Sequence, residues 1–96
     1  MEYKVRFHSK FFKDLDKLSP MDIEIFEKKK EKIKQNPQRL KHLSGGDNCY
    51  REEITSNIRL VYYIKGSDIW MLIIDKHDKA YADYRKRLYS LQIKTV

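Results

Sequence analysis

The stretch Ile58-Arg59-Leu60-Val61-Tyr62-Tyr63-Ile64-Lys65-Gly66-Ser67-Asp68-Ile69-Trp70-Met71-Leu72-Ile73-Ile74 decides the fold. Two β-rich runs flank Gly66-Ser67, a pair that suits the two-residue turn of a β-hairpin. The run from Ile69 to Ile74 is apolar on both faces, which places it at or near the centre of a sheet. Upstream, Cys49 to Ile54 alternates as a further strand, and Thr55-Ser56-Asn57 is the turn that joins it to Ile58–Lys65. These turns predict a register in which Glu53 faces Arg59, Arg51 faces Val61, Arg59 faces Ile74 and Tyr63 faces Trp70. One face then carries Arg51, Glu53, Arg59, Val61, Tyr63, Trp70, Leu72 and Ile74. The other carries Glu52, Ile54, Ile58, Leu60, Tyr62, Ile64, Ile69, Met71 and Ile73. The second face is almost wholly apolar and needs a helical cover, so the first is expected to be open and concave.

The cover is legible further upstream. Tyr3, Val5 and Phe7 alternate with Lys4, Arg6 and His8 as a half-buried strand, with His8 on its polar side and without an assigned role. Ser9 is expected to cap a short helix with Phe11, Leu15 and Leu18 on one stripe and Phe12 beside them. Ser19-Pro20-Met21-Asp22 restarts a helix: an N-cap serine, proline where no amide hydrogen is needed, and an acid in the first turn. This second helix buries Ile23, Phe26 and Ile33 and stops at Asn36-Pro37, because proline disfavours helical geometry in the residue before it. Gln38 to Asn48 is a polar connection. After Asp75 the period changes, and Tyr81, Tyr84, Leu88 and Leu91 mark an amphipathic C-terminal helix. The expected order is β-α-α-β-β-β-α, an α+β domain over residues 1–96 with an antiparallel-rich sheet, a two-helix hairpin on one face and a C-terminal helix.

Composition bounds the partners. Across 96 residues, 21 Lys+Arg against 14 Asp+Glu give a formal net charge of +7. A hydrophobic content of 41% is too high for a disordered chain, and 36% charged residues exclude a membrane protein. No segment approaches the roughly 20 apolar residues of a membrane span or resembles a signal peptide, so a reducing cytoplasm is the expected address. Cys49 is alone, which rules out an internal disulfide and a cysteine-based zinc site. The charge is spread, 12 basic against 8 acidic residues up to Asn48 and 9 against 6 from Cys49 onward, so the domain as a whole favours a polyanionic partner.

Arg59 lies mid-strand between Ile58 and Leu60, where an arginine needs an anionic partner. The plain reading is a cross-strand ion pair with Glu53. The functional reading is a phosphate held by the guanidinium fork, with Arg51 and the strand-end His77 converging near Glu53. Tyr63 and Trp70 on the same face are either packing residues or a base-stacking platform. His77 lies in the charged loop Asp75-Lys76-His77-Asp78-Lys79, where an imidazole is either solvated or passes a proton. Lys28, Lys29, Lys30, Lys32 and Lys34 encircle their helix and read as a solvated surface that aids electrostatic attraction.

The order of elements, together with Leu40-Lys41-His42-Leu43-Ser44-Gly45, Cys49-Tyr50-Arg51 and Ile58-Arg59-Leu60-Val61-Tyr62, resembles the RelE/YoeB/ParE toxin superfamily over nearly the whole chain. The resemblance implies the toxin of a type II toxin-antitoxin pair that cuts messenger RNA, usually in the ribosomal A site, with no metal and no cofactor. The ribose 2′-hydroxyl attacks the adjacent phosphate, and the 5′-oxygen leaves with a proton. By position Arg59 matches the phosphate-binding arginine, Arg51 a basic residue of the preceding strand, and His77 the general acid of the YoeB branch. Either Tyr81 or Tyr84 matches the tyrosine of the C-terminal segment. Lys41, His42, Lys76 and Lys79, with these tyrosines, are the expected RNA contacts. Two positions depart from the pattern: Glu53 stands where RelE has a second lysine, and Gln38 where YoeB has an acid. Glu53 is the expected general base. The implied partners are an acidic antitoxin, the ribosome and mRNA, and operator DNA through the antitoxin complex. Two other readings share the fold: a ParE-like inhibitor of DNA gyrase, and a catalytically inactive relative that binds antitoxin and operator DNA.

Overall fold

The computed structural model describes residues 2–39, 41–42 and 48–94. Its elements are β1 (Lys4–Phe7), α1 (Phe11–Asp16), α2 (Pro20–Gln35), β2 (Lys41–His42), β3 (Cys49–Glu53), β4 (Ile58–Lys65), β5 (Asp68–Lys76) and α3 (His77–Lys94), with a single 3-10 turn at Pro37–Arg39. The five strands form one mixed sheet in the order β1-β5-β4-β3-β2. β1 runs parallel to β5, and the other neighbours are antiparallel. The expected α+β class and helix order hold, with one addition: the polar connection contains the two-residue edge strand β2, paired to β3 through Lys41↔Arg51 and His42↔Tyr50.

Local signals act where the sequence places them. Ser19 is the N-cap of α2, its hydroxyl accepting from the Asp22 N–H at 3.1 Å, and Pro20 is the first helical residue. α2 ends before Asn36-Pro37, where the Pro37 carbonyl accepts the buried Tyr62 hydroxyl at 2.6 Å and ties the helix end to the middle of β4. Gly66 has φ +61, the conformation that the β4–β5 turn requires and that glycine adopts without strain. Ser9 does not cap α1. The N-cap is Lys10, with no side-chain bond, while His8 is buried and its Nδ1 accepts from the Lys10 N–H at 3.1 Å. His8 is therefore an interior residue at the turn out of β1, in place of the polar-face position expected for it.

Two cores lie on opposite faces of the sheet. Phe11, Phe26 and Ile33 of the helical hairpin cover Leu60, Tyr62, Ile69, Met71 and Ile74 on one side. Ala80, Tyr84 and Leu91 of α3 cover Cys49, Val61, Leu72 and Ile73 on the other. The second face is thus closed by α3 over most of its length, in place of the open concave surface expected from the strands alone. Tyr63 and Trp70 are half-buried packing residues of this second core. Ile23 contributes less than Phe26 and Ile33, being only half-buried.

One register expectation fails, and the reason organises the molecule. Tyr63↔Trp70, Arg51↔Val61 and Glu53↔Arg59 pair as expected, but a β-bulge between Val61 and Tyr62 moves the remainder of β5 by one residue. Val61 then faces Ile73, Leu60 faces Ile74, and Arg59 faces Asp75 and not Ile74. Ile73 and Ile74 accordingly exchange faces relative to strict alternation.

The bulge is held from outside the ladder. β1 is paired with β5 only as far as Met71, so the β5 backbone beyond it needs other partners. Asp14 of α1 supplies one, its Oδ2 accepting from the Ile74 N–H at 3.2 Å. Arg87 of α3 supplies the other, donating to the Leu72 carbonyl at 2.9 Å. The two side chains also form a bidentate ion pair, with Arg87 Nη2 at 3.0 Å from Asp14 Oδ1 and Nη1 on Oδ2. Asp14 is 2% exposed and the Arg87 side chain 12%, so the pair is shielded from water. Removing one member strands the other, which costs about 3–5 kcal/mol for a buried pair. Asp14→Ala is expected to lower the thermal midpoint by more than ~10 °C. An Asp14→Leu/Arg87→Met double variant should recover part of that loss, as followed by circular dichroism. A midpoint unchanged in Asp14→Ala would show that the pair is incidental.

Candidate active site

The candidate residues gather where the β3–β4 turn meets the junction of β5 and α3. Thr55 shapes the turn: its hydroxyl accepts from the Asn57 and Ile58 N–H groups at 3.2 and 3.1 Å. Arg59 folds back on the same turn. Its Nη1 donates to the carbonyls of Thr55 at 2.7 Å, Ser56 at 3.2 Å and Ile58 at 3.2 Å, while Nη2 lies 3.7 Å from Glu53 Oε1. Both the ion pair and the clustering thus come from the cross-strand register, Glu53 opposite Arg59. The Arg59 side chain is 17% exposed and that of Glu53 63%, so the acid is at the rim and the guanidinium beneath it.

α3 begins at His77 without a connecting loop, directly after β5. The His77 N–H donates to the Asn57 carbonyl at 3.1 Å, which fastens the helix start to the turn that holds Arg59. Its imidazole is exposed, with Nδ1 at 3.0 Å from Asp78 Oδ1, and stands edge-on to Tyr81, the ring centroids 4.7 Å apart. Tyr81 in turn meets Arg51, whose guanidinium lies 5.9 Å from the ring centroid and whose Nη1 is 3.5 Å from the hydroxyl. Tyr81 therefore links the basic side chain of β3 to the imidazole of α3. An open hollow of about 520 Å³ lies against this junction, lined by Ser56, Asn57, Lys76, His77, Asp78 and Lys79.

The structure thus brings Arg51, Glu53, Arg59, His77 and Tyr81 to one place, with Lys76 and Lys79 on the hollow beside them. Tyr84 is elsewhere. It is 5% exposed in the core beneath α3, and its hydroxyl accepts from Arg85 Nε at 3.2 Å, so of the two tyrosines Tyr81 is the one that reaches the site. The side chains of Lys41 and His42, and the Leu40 and Leu43–Gly45 part of the family-like string, lie outside the described residues. Gln38 is exposed after the 3-10 turn.

Two residues of the site escaped the sequence reading. Asn57 acts through its main-chain carbonyl, for which a sequence carries no signal. Asp75 faces Arg59 only because of the bulge, and one of its carboxylate oxygens is closed to solvent without a hydrogen-bond partner among the described residues. A site of this composition offers cationic groups for an anion, a carboxylate and an imidazole in proximity, and an aromatic edge. Among the described residues there is no group of three or more His, Cys, Asp or Glu able to hold a metal ion.

No family model and no curated protein sequence matches the chain. Solved structures do. A double arginine-to-alanine variant of the E. coli toxin RelE in the free state is 26% identical, with a TM-score of 0.78, over 91% of this chain and 98% of the other. The toxin-antitoxin complex RelBE from E. coli is 24% identical, with a TM-score of 0.73, over 77% and 95%. A YoeB/ParE toxin from Agrobacterium tumefaciens is 20% identical, with a TM-score of 0.66, over 77% and 98%. The chain therefore shares the fold of these toxins and is similar to the RelE/YoeB/ParE toxin superfamily.

Proposed function

We propose that this chain is the toxin of a type II toxin-antitoxin pair and a ribosome-dependent, metal-independent endoribonuclease acting on mRNA. The observation that carries the reading is the His77 N–H to Asn57 carbonyl bond, which sets the imidazole beside the turn that holds the half-buried Arg59 guanidinium. In the proposed reaction the ribose 2′-oxygen forms a bond to the adjacent phosphorus, and the bond from phosphorus to the 5′-oxygen breaks. Glu53 accepts the 2′-hydroxyl proton, being the exposed carboxylate at the rim of the site. His77, with Nδ1 directed at Asp78, delivers a proton from Nε2 to the departing 5′-oxygen. Arg59 and Arg51 hold the phosphate, whose negative charge grows on its equatorial oxygens. A phosphate competes with Glu53 for Arg59, and this frees the carboxylate at the moment it is needed. Tyr81 keeps Arg51 and the imidazole in register. Lys76, Lys79 and Lys41 contribute cationic contacts to RNA, and His42 a polar one.

The partner expected of such a toxin is an acidic antitoxin that folds over the basic surface, and operator DNA is reached only through that complex. Several of the similar structures are complexes of RelE-type toxins with their antitoxins, which supports this partner class. No helix among the described residues is long and apolar enough to cross a membrane, in keeping with the cytoplasmic address of the ribosome.

Mapping cut ends on translated message tests the reading. His77→Ala is expected to lower the cleavage rate by about a hundredfold or more while the chain remains folded, since a positioned general acid supplies about 10²–10⁴ in rate. Cleavage at the wild-type rate would remove His77 from the chemistry. A gyrase supercoiling assay run on the same preparation separates the ParE-like alternative, which predicts inhibition of supercoiling with an intact message. Glu53→Gln is the second test. The Arg59 pair that it weakens is long and at the rim, so stability should change by less than ~1 kcal/mol, whereas cleavage should fall at least tenfold. Equal activity of this variant would leave Glu53 as an ion-pair partner only.

A further inference from the structure

We propose that Asp75 is a positioning residue for Arg59: when RNA occupies the site, the Arg59 guanidinium leaves the β3–β4 turn and is held by the Asp75 carboxylate, facing the scissile phosphate. The proposal deepens the nuclease reading and rests on it for the identity of the phosphate.

Asp75 is an unusual acid. Its Oδ1 accepts the Lys76 N–H at 2.8 Å, whereas Oδ2 is closed to water and has no hydrogen-bond partner among the described residues. A carboxylate oxygen left without a partner and closed to water is costly and calls for a reason. A donor stands directly opposite. The bulged register makes Arg59 the ladder partner of Asp75 on the same face, and the Cβ atoms of such a pair lie about 5 Å apart. A guanidinium fork matches a carboxylate in bidentate geometry, with further N–H groups left for a second anion.

In the present structure that fork points the other way, toward three turn carbonyls and Glu53. Arg59 therefore has two sets of acceptors on one side of the sheet: neutral carbonyls with a rim acid, or the Asp75 carboxylate with its solvent-closed oxygen. Near the junction Arg51 meets Tyr81, His77 meets Asp78 and Lys79 pairs with Asp83, while Lys76 lines the hollow. An incoming phosphate competes for the Nη2 side that Glu53 occupies. Moving the guanidinium to Asp75 keeps its charge compensated from behind while it faces the phosphate in front. Closure of Oδ2 to water also separates the two acids by role: a 2′-hydroxyl cannot reach it, so Asp75 acts through Arg59 and Glu53 remains the proton acceptor.

The test compares wild type, Asp75→Asn, Asp75→Glu, Arg59→Ala and the Asp75→Asn/Arg59→Ala double variant. Arg59 Nε–H is followed by NMR on adding a short RNA 2′-O-methylated at every ribose, and cleavage is measured at saturating translated message. The expected results are a shift of the Arg59 resonance in wild type that is absent in Asp75→Asn, and a cleavage rate lowered about tenfold in Asp75→Asn with KM little changed. The thermal midpoint should not fall, because the substitution removes the charge from a carboxylate whose Oδ2 is closed to water and without a hydrogen-bond partner among the described residues. Asp75→Glu should recover part of the rate, and Asp75→Asn should cost nothing further in the Arg59→Ala background. The proposal is overturned by an unmoved Arg59 resonance in wild type, by the same shift in Asp75→Asn, or by an equal loss of rate with and without Arg59. If wild type shows the resonance shift but cleaves no message, the nuclease reading falls while the Arg59–Asp75 pair stands.

Discussion

The ion pair between Asp14 and Arg87 is the contact on which the rest of the architecture depends. It joins a residue of the first helix to one of the last, 73 positions apart, across the edge of β5 where β1 has ended. Each partner also serves the strand, Asp14 through the Ile74 N–H and Arg87 through the Leu72 carbonyl. A bulge leaves backbone groups out of the ladder, and leaving them unpaired beneath two helices would be unfavourable. The pair answers that need on both sides of the bulge at once. Its desolvation is offset by four backbone and side-chain bonds, which is the condition under which a buried ion pair is tolerated.

The bulge in turn decides what stands opposite Arg59. With strict alternation Ile74 would face it, and the guanidinium would have only Glu53 and the turn for company. The extra residue brings Asp75 to that face and sends Ile74 into the core beneath the helical hairpin. It also sets the phase at which β5 runs into α3, and so the direction from which His77 meets the Asn57 carbonyl. A packing device in the interior and the composition of the site are thus one feature of the strand.

Much of this was open to a reading of the residues. The hairpin at Gly66-Ser67, the Ser19-Pro20 restart, the stop at Asn36-Pro37 and the register of Glu53 with Arg59 follow from local turn and capping chemistry, which a short segment determines by itself. The bulge does not, because it is stabilised by Asp14 and Arg87 from distant parts of the chain. A trace of it is nevertheless visible. Asp14 falls on the Phe11, Leu15, Leu18 stripe of α1, and Arg87 falls three residues after Tyr84 and four before Leu91 on the stripe of α3. One acid and one base, each on an otherwise apolar helical face, are the pattern of a buried pair. The closing of the second face by α3 was missed for a related reason: amphipathic spacing shows that a helix packs, but not which face of the sheet receives it.

The placement of charge also differs from what the composition suggests. The lysine-rich α2 looks like the seat of the positive field, yet Lys28 pairs with Glu24, Lys30 with Glu27, Lys34 with Glu31, and Lys29 with Glu52 of the sheet. These short pairs neutralise one another within a few ångströms, and what little field remains is screened over roughly 8 Å at physiological salt. Lys29 has a further task, since its ammonium also donates to the Glu53 carbonyl and so ties α2 to the end of β3. The cations that face the turn and the hollow are in a different position. Arg51 is held by an aromatic ring rather than an acid, and Arg59 by neutral carbonyls with an acid only at 3.7 Å. An approaching polyanion therefore meets two arginines at the junction of the β3–β4 turn with α3, where the imidazole and the two acids also stand. The candidate site and these cations thus coincide, whereas the lysines of α2 serve mainly to pair with neighbouring acids and to tie the helix to the sheet.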